Sequence, residues 1–448
     1  MDTIDKIIDQ KNIEEAIKKV RKNKGAPGID NMTVFELEDF FMKNWNDIRL
    51  KILNKQYVVS PVKRIFIPKP NSNEMRPLGI PCCKDRVIQQ ATAKILSDIY
   101  EPLFSEHSHG FRPNRSCHTA MEEALGYLNE GYEWVVDFDI QKFFDTVNHD
   151  KLISIIREQV NDSTTLHLIR SFLKAGIMEN GLQSPIEDGV PQGSPFSPIA
   201  SNIYLDKLDK ELESRGLRFV RYADDFNVFV KSEAAANRVM KSVSSWIERK
   251  LYLKVSPAKT KVVRPTKGEF LGFGFYKNGK EWKCKPLKSR LIRLRDKIRD
   301  ITCRKKACAR PLSATVHKIN EVVRGWINYY KVGSMKTAMK DFGTWLRHKV
   351  RVIMLKQWKT PTGITKGLNW YCRNFHITPL KEDTIHSIAN SRKGLYARSN
   401  KDGINFILNI KVFDTEIRSK RKGKVMERLI NPLAYYLNIP CNNVLYIA

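Results

Sequence analysis

The 448-residue chain lacks several features that would assign it to a class of protein at once. No segment approaches the ~20 consecutive apolar residues of a membrane span, and residues 1–20 lack the apolar region of a signal peptide. The eight cysteines include no CxxC pair, which argues against a zinc site and favours reduced thiols. Neither an internal repeat nor a low-complexity tract is present. We therefore expect a soluble, intracellular protein with no membrane partner.

Acidic residues are scarce relative to basic ones, because 48 Asp and Glu face 78 Lys and Arg and leave a net charge of +30. The excess is uneven: residues 281–448 hold 36 basic and 11 acidic residues, whereas residues 1–280 hold 42 and 37. A charge of this size implies a polyanionic partner, most commonly nucleic acid. A solvated basic surface is the alternative, and the asymmetry across the whole C-terminal part disfavours it.

Periodicity predicts strands mixed with helices in the first part of the chain. The predicted helices are 4–24, 34–54, 85–100, 150–159 and 205–215, and the predicted strands and hairpins are 62–81, 134–139, 219–230 and 270–275. Beyond about residue 285 the pattern is helical, with helices at 288–302 and 315–331 and a linker, KTPTGITKG, at 359–367. This order predicts an α+β catalytic part followed by an α-helical basic part.

Carboxylates at the ends of apolar strands are the most informative feature. Asp224 and Asp225 lie between two apolar β-runs, where adjacent like charges would be desolvated together. Asp139 ends the apolar strand 134–139. Three such carboxylates could hold two divalent ions about 4 Å apart, and oxygen-only ligands favour Mg²⁺. Taken alone, however, an Asp-Asp turn is more often a solvated hairpin tip.

The motifs around these carboxylates resemble the reverse transcriptases that group II introns encode. The resemblance covers about residues 10–350, and GWINYY (325–330) is similar to the motif of that family's maturase, or X, domain. In the family's order, the other motifs are GAPGID (25–30), IPKPNSNEMRPLGIP (67–81), DRVIQQA (85–91), HGFRPNRS (109–116), DIQKFFD (139–145), FFDTVNHDKL (143–152), VPQGSPFSP (190–198), YADD (222–225) and FLGFGF (270–275).

The resemblance implies a metal-binding catalytic triad of Asp139, Asp224 and Asp225. The backbone carbonyl of Ile140 would be a further metal ligand. The implied cofactor is Mg²⁺, as two ions, with Mn²⁺ as a substitute.

The resemblance also implies nucleotide-binding residues. Lys69 and Arg76 match the cations that hold the incoming triphosphate, although two cations beside a turn would otherwise be unremarkable. Phe144 matches a bulky gate that would exclude a 2′-hydroxyl, and its alternative is a core aromatic. Gln192 matches a residue of the nucleotide pocket, and Lys259, in SPAKTK, matches the lysine of a later motif.

The basic part would bind nucleic acid. The helix 288–302 carries a basic stripe, and we expect it to contact phosphates: Arg290, Arg293, Arg295, Lys297 and Arg299. Trp326, Tyr329 and Tyr330 could stack on bases, but Trp326 and Tyr330 lie on the apolar face of their helix, which favours a core role.

Two departures from the family pattern stand out. The family has Gly-Gly and then Leu before Ser-Pro, whereas this chain has Ser194 and Pro195, which changes the expected shape of the nucleotide pocket. The chain also ends without the Cys-pair and His-rich endonuclease domain of many relatives, and so resembles the bacterial endonuclease-lacking branch.

We therefore predict a right-hand polymerase of the α+β class, with fingers and a palm containing an antiparallel sheet. Fingers and palm span 1–284, with an N-terminal extension to about 55, followed by an α-helical thumb or maturase domain (285–360) and a basic DNA-binding domain (361–448). The predicted activity is RNA-directed DNA synthesis in the bacterial cytoplasm. The resemblance implies a second activity as a maturase, which binds intron RNA to assist its splicing and retrohoming. Its partners are an RNA template, a DNA or RNA primer, dNTPs, intron RNA and target DNA, with no protein partner evident.

Other functions stay open at this point. The protein could be a host-adopted reverse transcriptase of a defence or CRISPR system, or a maturase that acts mainly as an RNA-binding splicing factor. An RNA-directed RNA polymerase is disfavoured by Phe144. A purely structural RNA-binding protein would not need three placed carboxylates.

Overall fold

The computed structural model describes residues 2–68, 74–179, 181–185, 187–374, 377–408, 417–418, 425–426 and 429–439. Contacts between Cα atoms divide the chain into two compact units, Met1–Gly268 and Glu269–Ala448. This division comes at residue 268, whereas the sequence predicts the end of the catalytic part at residue 284. The three-part division into fingers with palm, thumb and C-terminal domain stays a prediction.

The first unit mixes ten helices with eight strands among the residues described. The helices are α1 (Thr3–Ile7), α2 (Gln10–Lys22), α3 (Leu37–Leu53), α4 (Cys83–Tyr100), α5 (Cys117–Asn129), α6 (Phe143–Thr146), α7 (His149–Arg157), α8 (Ser163–Leu173), α9 (Ser197–Ser214) and α10 (Glu233–Leu251). The strands are β1 (Val62–Pro68), β2 (Met75–Ile80), β3 (Trp134–Phe138), β4 (Ile177–Glu179), β5 (Leu182–Ser184), β6 (Arg218–Tyr222), β7 (Asp225–Val230) and β8 (Lys261–Val263).

Two four-stranded sheets organise this unit. The central sheet is antiparallel throughout and has the order β6-β7-β3-β8. The second sheet has the order β2-β1-β4-β5, in which β1 and β4 are parallel. A single apolar core extends from Ile4 to Val255 and includes the central-sheet residues Phe138, Phe226 and Val228. The predicted α+β class with an antiparallel sheet is confirmed.

The predicted helix 4–24 is two helices. Asp9 interrupts the pattern because its carboxylate accepts hydrogen bonds from the backbone N–H groups of Lys11 and Asn12, at 3.0 and 3.3 Å. An Asp that satisfies the free donors of a first turn is a typical helix N-cap, so α2 begins there. The periodicity of Ile7, Ile13 and Ile17 continues across the break, which is why the apolar pattern alone does not reveal it.

The second unit is largely helical. It begins with an antiparallel sheet of β9 (Glu269–Phe270), β10 (Phe273–Asn278) and β11 (Glu281–Pro286). Its other elements are α11 (Lys288–Ile301), α12 (Arg304–Cys308), α13 (Leu312–Tyr330), α14 (Lys336–Trp358), α15 (Pro361–Asn374), α16 (Glu382–Ala389), α17 (Leu395–Arg398), α18 (Asp402–Ile407), β12 (Ile417–Arg418), β13 (Val425–Met426) and α19 (Pro432–Asn438).

Late residues of this unit pack on its long helices. Asn320 on α13 accepts a hydrogen bond from the backbone N–H of Ile430, at 2.8 Å, and the Tyr435 hydroxyl donates to Asn328 at 3.1 Å. Among the described helices of the chain, none is long and apolar enough to cross a membrane. No disulfide joins the seven cysteines within the described residues, and Cys441 lies outside them.

The predicted linker at 359–367 is wrong, because α15 begins at Pro361. Ile364 and Leu368 are fully buried on one face of this helix. Gly367 is not a helix breaker here but makes room for an aromatic ring: a Cβ atom at this position would lie 2.5 Å from the indole of Trp358. The glycine therefore reflects close packing against Trp358, which sequence pattern cannot distinguish from a flexible loop.

Substitution of Gly367 tests this packing. We expect Gly367→Ala to lower the free energy of unfolding of the second unit by about 1–3 kcal/mol, because the added methyl overpacks the site. The matched control is Gly325→Ala on α13, where an added Cβ meets nothing within 4 Å, so stability should stay equal or rise by up to about 1 kcal/mol. Chemical denaturation of the full chain, followed by tryptophan fluorescence, measures both. Equal effects of the two substitutions would contradict the packing.

Candidate active site

Strand register brings two of the predicted carboxylates together. In the antiparallel pair β3–β7, Phe138 lies opposite Phe226 and their rings stack with centroids 4.6 Å apart. Asp139 directly follows β3, so the same register continued by one residue places it opposite Asp225, the first residue of β7. Asp224 precedes Asp225 in the turn that connects β6 to β7, where Tyr222 pairs with Asp225.

This turn is tight and strained. Only Ala223 and Asp224 separate the paired residues Tyr222 and Asp225. Ala223 has φ = 59°, in the left-handed region that a residue with a side chain adopts at a cost of roughly 1 kcal/mol. The conformation places Asp224 and Asp225 in succession at the end of the sheet that also carries Asp139.

The three carboxylates affect one another electrostatically. Asp225 remains accessible to solvent, yet the surrounding protein and the neighbouring Asp224 and Asp139 raise its pKa to about 7. Burial, reinforced by Asp139, also raises the pKa of Asp224, and the cations of Arg76 and Arg221 oppose the rise. The sheet end is therefore a place where negative charge accumulates and where a cation would be stabilised.

Asp139 is fixed by the segment 254–260. Its backbone N–H donates to Thr260 Oγ1 at 3.2 Å, and its carbonyl accepts from the N–H of Ser256 at 2.8 Å. Lys259 Nζ lies 3.1 Å from Asp139 Oδ2 and 3.2 Å from Oδ1, so the predicted lysine contacts the predicted triad. Ile140 follows in a bridge to Val255, and its side chain is buried.

The donor set suits a hard divalent cation. Within the described ranges, no group of three Asp, Glu, His or Cys side chains is already arranged to enclose a metal ion. Carboxylates are nevertheless the ligands that Mg²⁺ prefers. Burial, reinforced by Asp224 and Asp139, raises the pKa of Asp225, and a bound cation would favour its charged form. The oxygen ligands and the negative charge of Asp139, Asp224 and Asp225 therefore fit the implied Mg²⁺.

One of the two predicted triphosphate-binding cations can be located. Arg76 lies on β2, paired with Ile67 of β1. Its charge opposes the rise that burial causes in the pKa of Asp224, so it is within electrostatic reach of the carboxylates. Lys69 lies outside the described residues, as do residues 70–73 of the predicted hairpin 62–81.

Gln192 lies in a turn that packs on the β1–β2 hairpin. Its carbonyl accepts a hydrogen bond from the backbone N–H of Gly79, at 2.7 Å. Gly193 follows with φ = 117°, and a Cβ atom there would lie 2.5 Å from the carbonyl oxygen of Gly79. Only glycine combines this backbone conformation with so close an approach.

Phe144 borders the same region. It lies on α6 with its ring edge-on to Phe143, centroids 5.2 Å apart, and its carbonyl accepts from the N–H of Val190 at 2.6 Å. The ring is half-buried and, together with Gln192, Gly193 and Phe111, lines a cavity of about 950 Å³. The ring is thus available to a ligand in that cavity, which a fully buried core residue would not be.

The departure at Ser194 and Pro195 has a structural explanation. Ser194 is buried, and its hydroxyl donates to Gln89 Oε1 of α4 at 2.9 Å while accepting from the N–H of Phe196 at 3.2 Å. The serine thus ties the 190–198 turn to α4 just before α9 begins, and Pro195 lines the cavity. Sequence gives no indication of Gln89 as the partner.

The predicted basic stripe on α11 does not lie on one face. The buried residues Leu294 and Ile298 turn the helix so that Arg295 and Arg299 lie over the ring of Trp345, at 5.7 and 5.9 Å from its centroid. Arg290 instead lies near Gly272. Arg293 and Lys297, three and seven residues after Arg290, lie on the same side of the helix as Arg290. Contact of these five cations with nucleic acid stays a prediction.

The aromatic residues of GWINYY form a cluster within the second unit. Tyr330 is buried against Phe273 and Trp326, with ring centroids 4.9 and 4.6 Å apart. The Tyr329 hydroxyl donates to the carbonyl of Leu271 at 3.0 Å. The core role favoured for Trp326 and Tyr330 agrees with these contacts.

A network of partly buried polar groups beside β6 is not predicted from the motifs. Glu123 on α5 accepts hydrogen bonds from Tyr127, at 2.7 Å, and from His107, and contacts His109 Nε2 at 2.5 Å. The carbonyl of His107 in turn accepts from the backbone N–H of Arg221, at 2.9 Å. In the sequence, only the presence of His107, His109 and Glu123 could have suggested this network. Their spacing does not show that the two imidazoles contact the same carboxylate.

Comparison with known proteins now identifies the class. Residues 67–275 match the family described as "Reverse transcriptase (RNA-dependent DNA polymerase)". Residues 291–372 match "Group II intron, maturase-specific domain". With the α+β fold, the first match defines a reverse transcriptase, which is an RNA-directed DNA polymerase.

Individual relatives identify the family. Group II intron-encoded protein LtrA of Lactococcus lactis subsp. cremoris is 30% identical over 421 residues, covering 73% of this chain and 70% of LtrA. Protein YkfC of Escherichia coli (strain K12) is 31% identical over 301 residues, covering 58% of this chain and 79% of YkfC. The chain belongs to the group II intron-encoded reverse transcriptases with a maturase domain, and the resemblance of its motifs is confirmed.

A solved structure shows a weaker likeness. A chain of the "Partial Cas6-RT-Cas1--Cas2 complex" is 26% identical and matches 55% of this chain and 43% of that chain, with a TM-score of 0.37.

The Glu123 network predicts a pH-dependent stability. Burial opposes ionisation of Glu123, but its hydrogen bonds with His107, His109 and Tyr127 outweigh burial and lower its pKa to about 2, so its contribution persists above pH 4.5 and is lost as pH falls towards 2. The hydrogen bond with Glu123 raises the pKa of His107, so that contribution is full below pH 6.5 and is lost as pH rises through the raised value. The network should therefore stabilise the fold most between about pH 4.5 and 6.5.

We expect Glu123→Gln to lower the free energy of unfolding by about 1–3 kcal/mol within that window, and by less on either side of it. Denaturant unfolding at a series of pH values measures the difference from the unmodified protein. Glu130→Gln, at the exposed end of α5, is the control and should show no such window. A difference that is constant with pH would contradict the assigned network.

Proposed function

We propose that the chain copies RNA into DNA at the carboxylate cluster of Asp139, Asp224 and Asp225, and that it does so as the protein of a group II intron. The register that sets Asp139 opposite Asp225, beside the turn that carries Asp224, is the observation that carries the proposal. The reaction is attack of a primer 3′-hydroxyl on the α-phosphate of a dNTP, with pyrophosphate as the leaving group.

The three aspartates, with the Ile140 carbonyl, would hold two Mg²⁺ ions, for which Mn²⁺ would substitute. When bound, such ions lower the pKa of the attacking hydroxyl and neutralise charge on the leaving pyrophosphate. Asp225 is open to solvent and to entering ligands. Lys259, which contacts Asp139, would keep this carboxylate in place and stay close to the phosphates.

The remaining predicted residues would orient the nucleotide. Arg76 approaches the carboxylates from the β1–β2 hairpin and would bind the triphosphate, with Lys69 from the same hairpin. Phe144 and Gln192 line one cavity, so the ring could meet the sugar while the glutamine turn meets the base. A ring at that place would collide with a 2′-hydroxyl and so select dNTPs.

The basic part would hold nucleic acid. We assign 1–284 to fingers and palm, 285–360 to a thumb or maturase domain and 361–448 to a DNA-binding domain. The match of residues 291–372 to a maturase-specific domain supports intron RNA as a partner of this part. Template RNA, primer and target DNA are the other proposed partners, with the bacterial cytoplasm as the location.

Removal of one catalytic carboxylate tests the polymerase site. We expect Asp224→Ala to reduce primer extension on an RNA template, with dNTPs and Mg²⁺, by about 10³-fold or more, because charge compensation at the reacting phosphate is lost. Binding of intron RNA and its splicing should be unchanged. Asp150→Asn, which removes an exposed carboxylate paired with Arg170, is the control and should extend primers normally. Retained synthesis in Asp224→Ala would refute the site.

Truncation of the proposed gate tests nucleotide choice. We expect Phe144→Ala to reduce the preference for dNTPs over rNTPs by about 10- to 100-fold, because the ring no longer obstructs the 2′-hydroxyl. The ratio of kcat/KM values for dCTP and CTP on one template measures this preference. If the ratio stays unchanged while the protein loses stability, Phe144 serves only in packing.

A further inference from the structure

Arg221 is a charged residue in the interior of the first unit. It lies on β6, one residue before Tyr222, and its side chain is fully buried. A buried guanidinium is tolerated only where its charge and its donors are matched. Its Nε donates to Asp209 Oδ1 at 2.7 Å and its Nη2 to Asp209 Oδ2 at 2.5 Å, so the planar fork meets a carboxylate of α9 that is itself fully buried.

The third nitrogen of the guanidinium, Nη1, contacts the turn that carries Asp224. Arg221 Nη1 donates to the carbonyl of Ala223 at 3.0 Å and to Asn202 Oδ1 at 3.1 Å. Ala223 is the residue with φ = 59°, immediately before Asp224. The hydrogen bond thus ends on the strained peptide that sets the direction of the chain at Asp224.

A second contact supports the turn from its other side. Asn202 Nδ2 donates to the carbonyl of Gly110, at 2.8 Å. Gly110 lies against the turn so closely that a Cβ atom on it would be 2.3 Å from the backbone nitrogen of Ala223. The N–H of His109 donates to the carbonyl of Arg221 at 2.8 Å. Residues 107–109 therefore pair with the edge of β6 at Arg221.

We infer that Arg221 is a positioning residue for the polymerase reaction. With Asp209 and Asn202 it holds Ala223 in the left-handed conformation that places Asp224 and Asp225 at the end of the central sheet beside Asp139. Arg221 does not touch substrate in this role. It acts through the carbonyl of Ala223, and Asp209 serves to fix and neutralise the guanidinium. The inference rests on the proposed roles of Asp224 and Asp225.

Arg221→Lys is the direct test, because lysine keeps the charge but has one nitrogen to serve Asp209, Asn202 and Ala223. We expect the rate constant for addition of one nucleotide, per active site, to fall by about 10- to 100-fold, as for a catalytic group displaced by about 1 Å. The Kd for the template–primer duplex should stay within about twofold. Active sites are counted from the amplitude of the product burst, so that unfolded protein does not enter the rate.

Two further variants separate positioning from stability. Tyr204 lies on α9, the helix that carries Asn202 and Asp209, and its hydroxyl donates a buried hydrogen bond to the carbonyl of Leu251 at 2.7 Å. Tyr204→Phe removes this bond and should lower the Tm while leaving the rate per site unchanged. Asn202→Ala keeps the Arg221–Asp209 pair and removes the connection to Gly110. If Arg221→Lys does not fold, Asn202→Ala should still show a several-fold slower rate per site.

A rescue addresses Ala223 itself. Glycine adopts a positive φ without the penalty of a side chain. We expect Ala223→Gly, added to Arg221→Lys, to recover at least about fivefold in rate per site, because the turn then needs less support to reach its conformation. A simple loss of core stability would change the number of active sites and not the rate per site, so it would not produce this recovery.

The outcomes are distinct. If Arg221→Lys reduces only the burst amplitude and leaves the rate per site unchanged, or if Ala223→Gly recovers nothing, the positioning role is refuted. If Asp224→Ala still synthesises DNA, the proposed catalytic site fails instead, whatever Arg221→Lys does. The inference would be supported by three results together: a lower rate per active site in Arg221→Lys, an unchanged Kd for the template–primer duplex, and recovery of the rate by Ala223→Gly.

Discussion

Repulsion between carboxylates is the constraint on which the first unit depends. Antiparallel pairing of β3 with β7 sets Asp139 opposite Asp225, and the connection to β6 adds Asp224 beside them. Like charges so placed would separate unless the main chain that carries them were fixed. Two sets of contacts fix the main chain here. Hydrogen bonds from residues 254–260 hold Asp139, and the buried pair of Arg221 and Asp209 supports the β6–β7 turn.

The central sheet and its acidic end follow from local pattern. Alternation and apolar runs predict β3, β6 and β7, and an acid at the end of such a run is visible without any knowledge of the fold. That Asp139 meets Asp225 depends on register between segments about 90 residues apart, which only the resemblance to a family supplied. Arg221 was visible as a cation within an apolar strand, but nothing local identifies Asp209, Asn202 and Gly110 as its surroundings.

The errors have the same physical origin. The segment 359–367 has the composition of a linker. At Gly367, however, the absence of a side chain is what lets Trp358 pack on α15. The five cations of α11 are close in sequence, but burial of Leu294 and Ile298 fixes the rotation of the helix and leaves the cations on two sides of it. Their contact with nucleic acid stays a prediction. In each case a contact with a distant residue decides the role, so composition and spacing are insufficient.

The contact between Gly79 and the Gln192–Gly193 turn has a consequence for motion. The hairpin is paired without interruption from Lys63 and Ile80 to Pro68 and Met75, so it is expected to move as a rigid body. The hydrogen bond from Gly79 to the Gln192 carbonyl, and the close approach of Gly193, attach that body to the cavity wall. A displacement of the hairpin at Arg76 therefore reaches Gln192 directly. In the proposed roles of these two residues, binding of the triphosphate and fit of the base would be mechanically coupled.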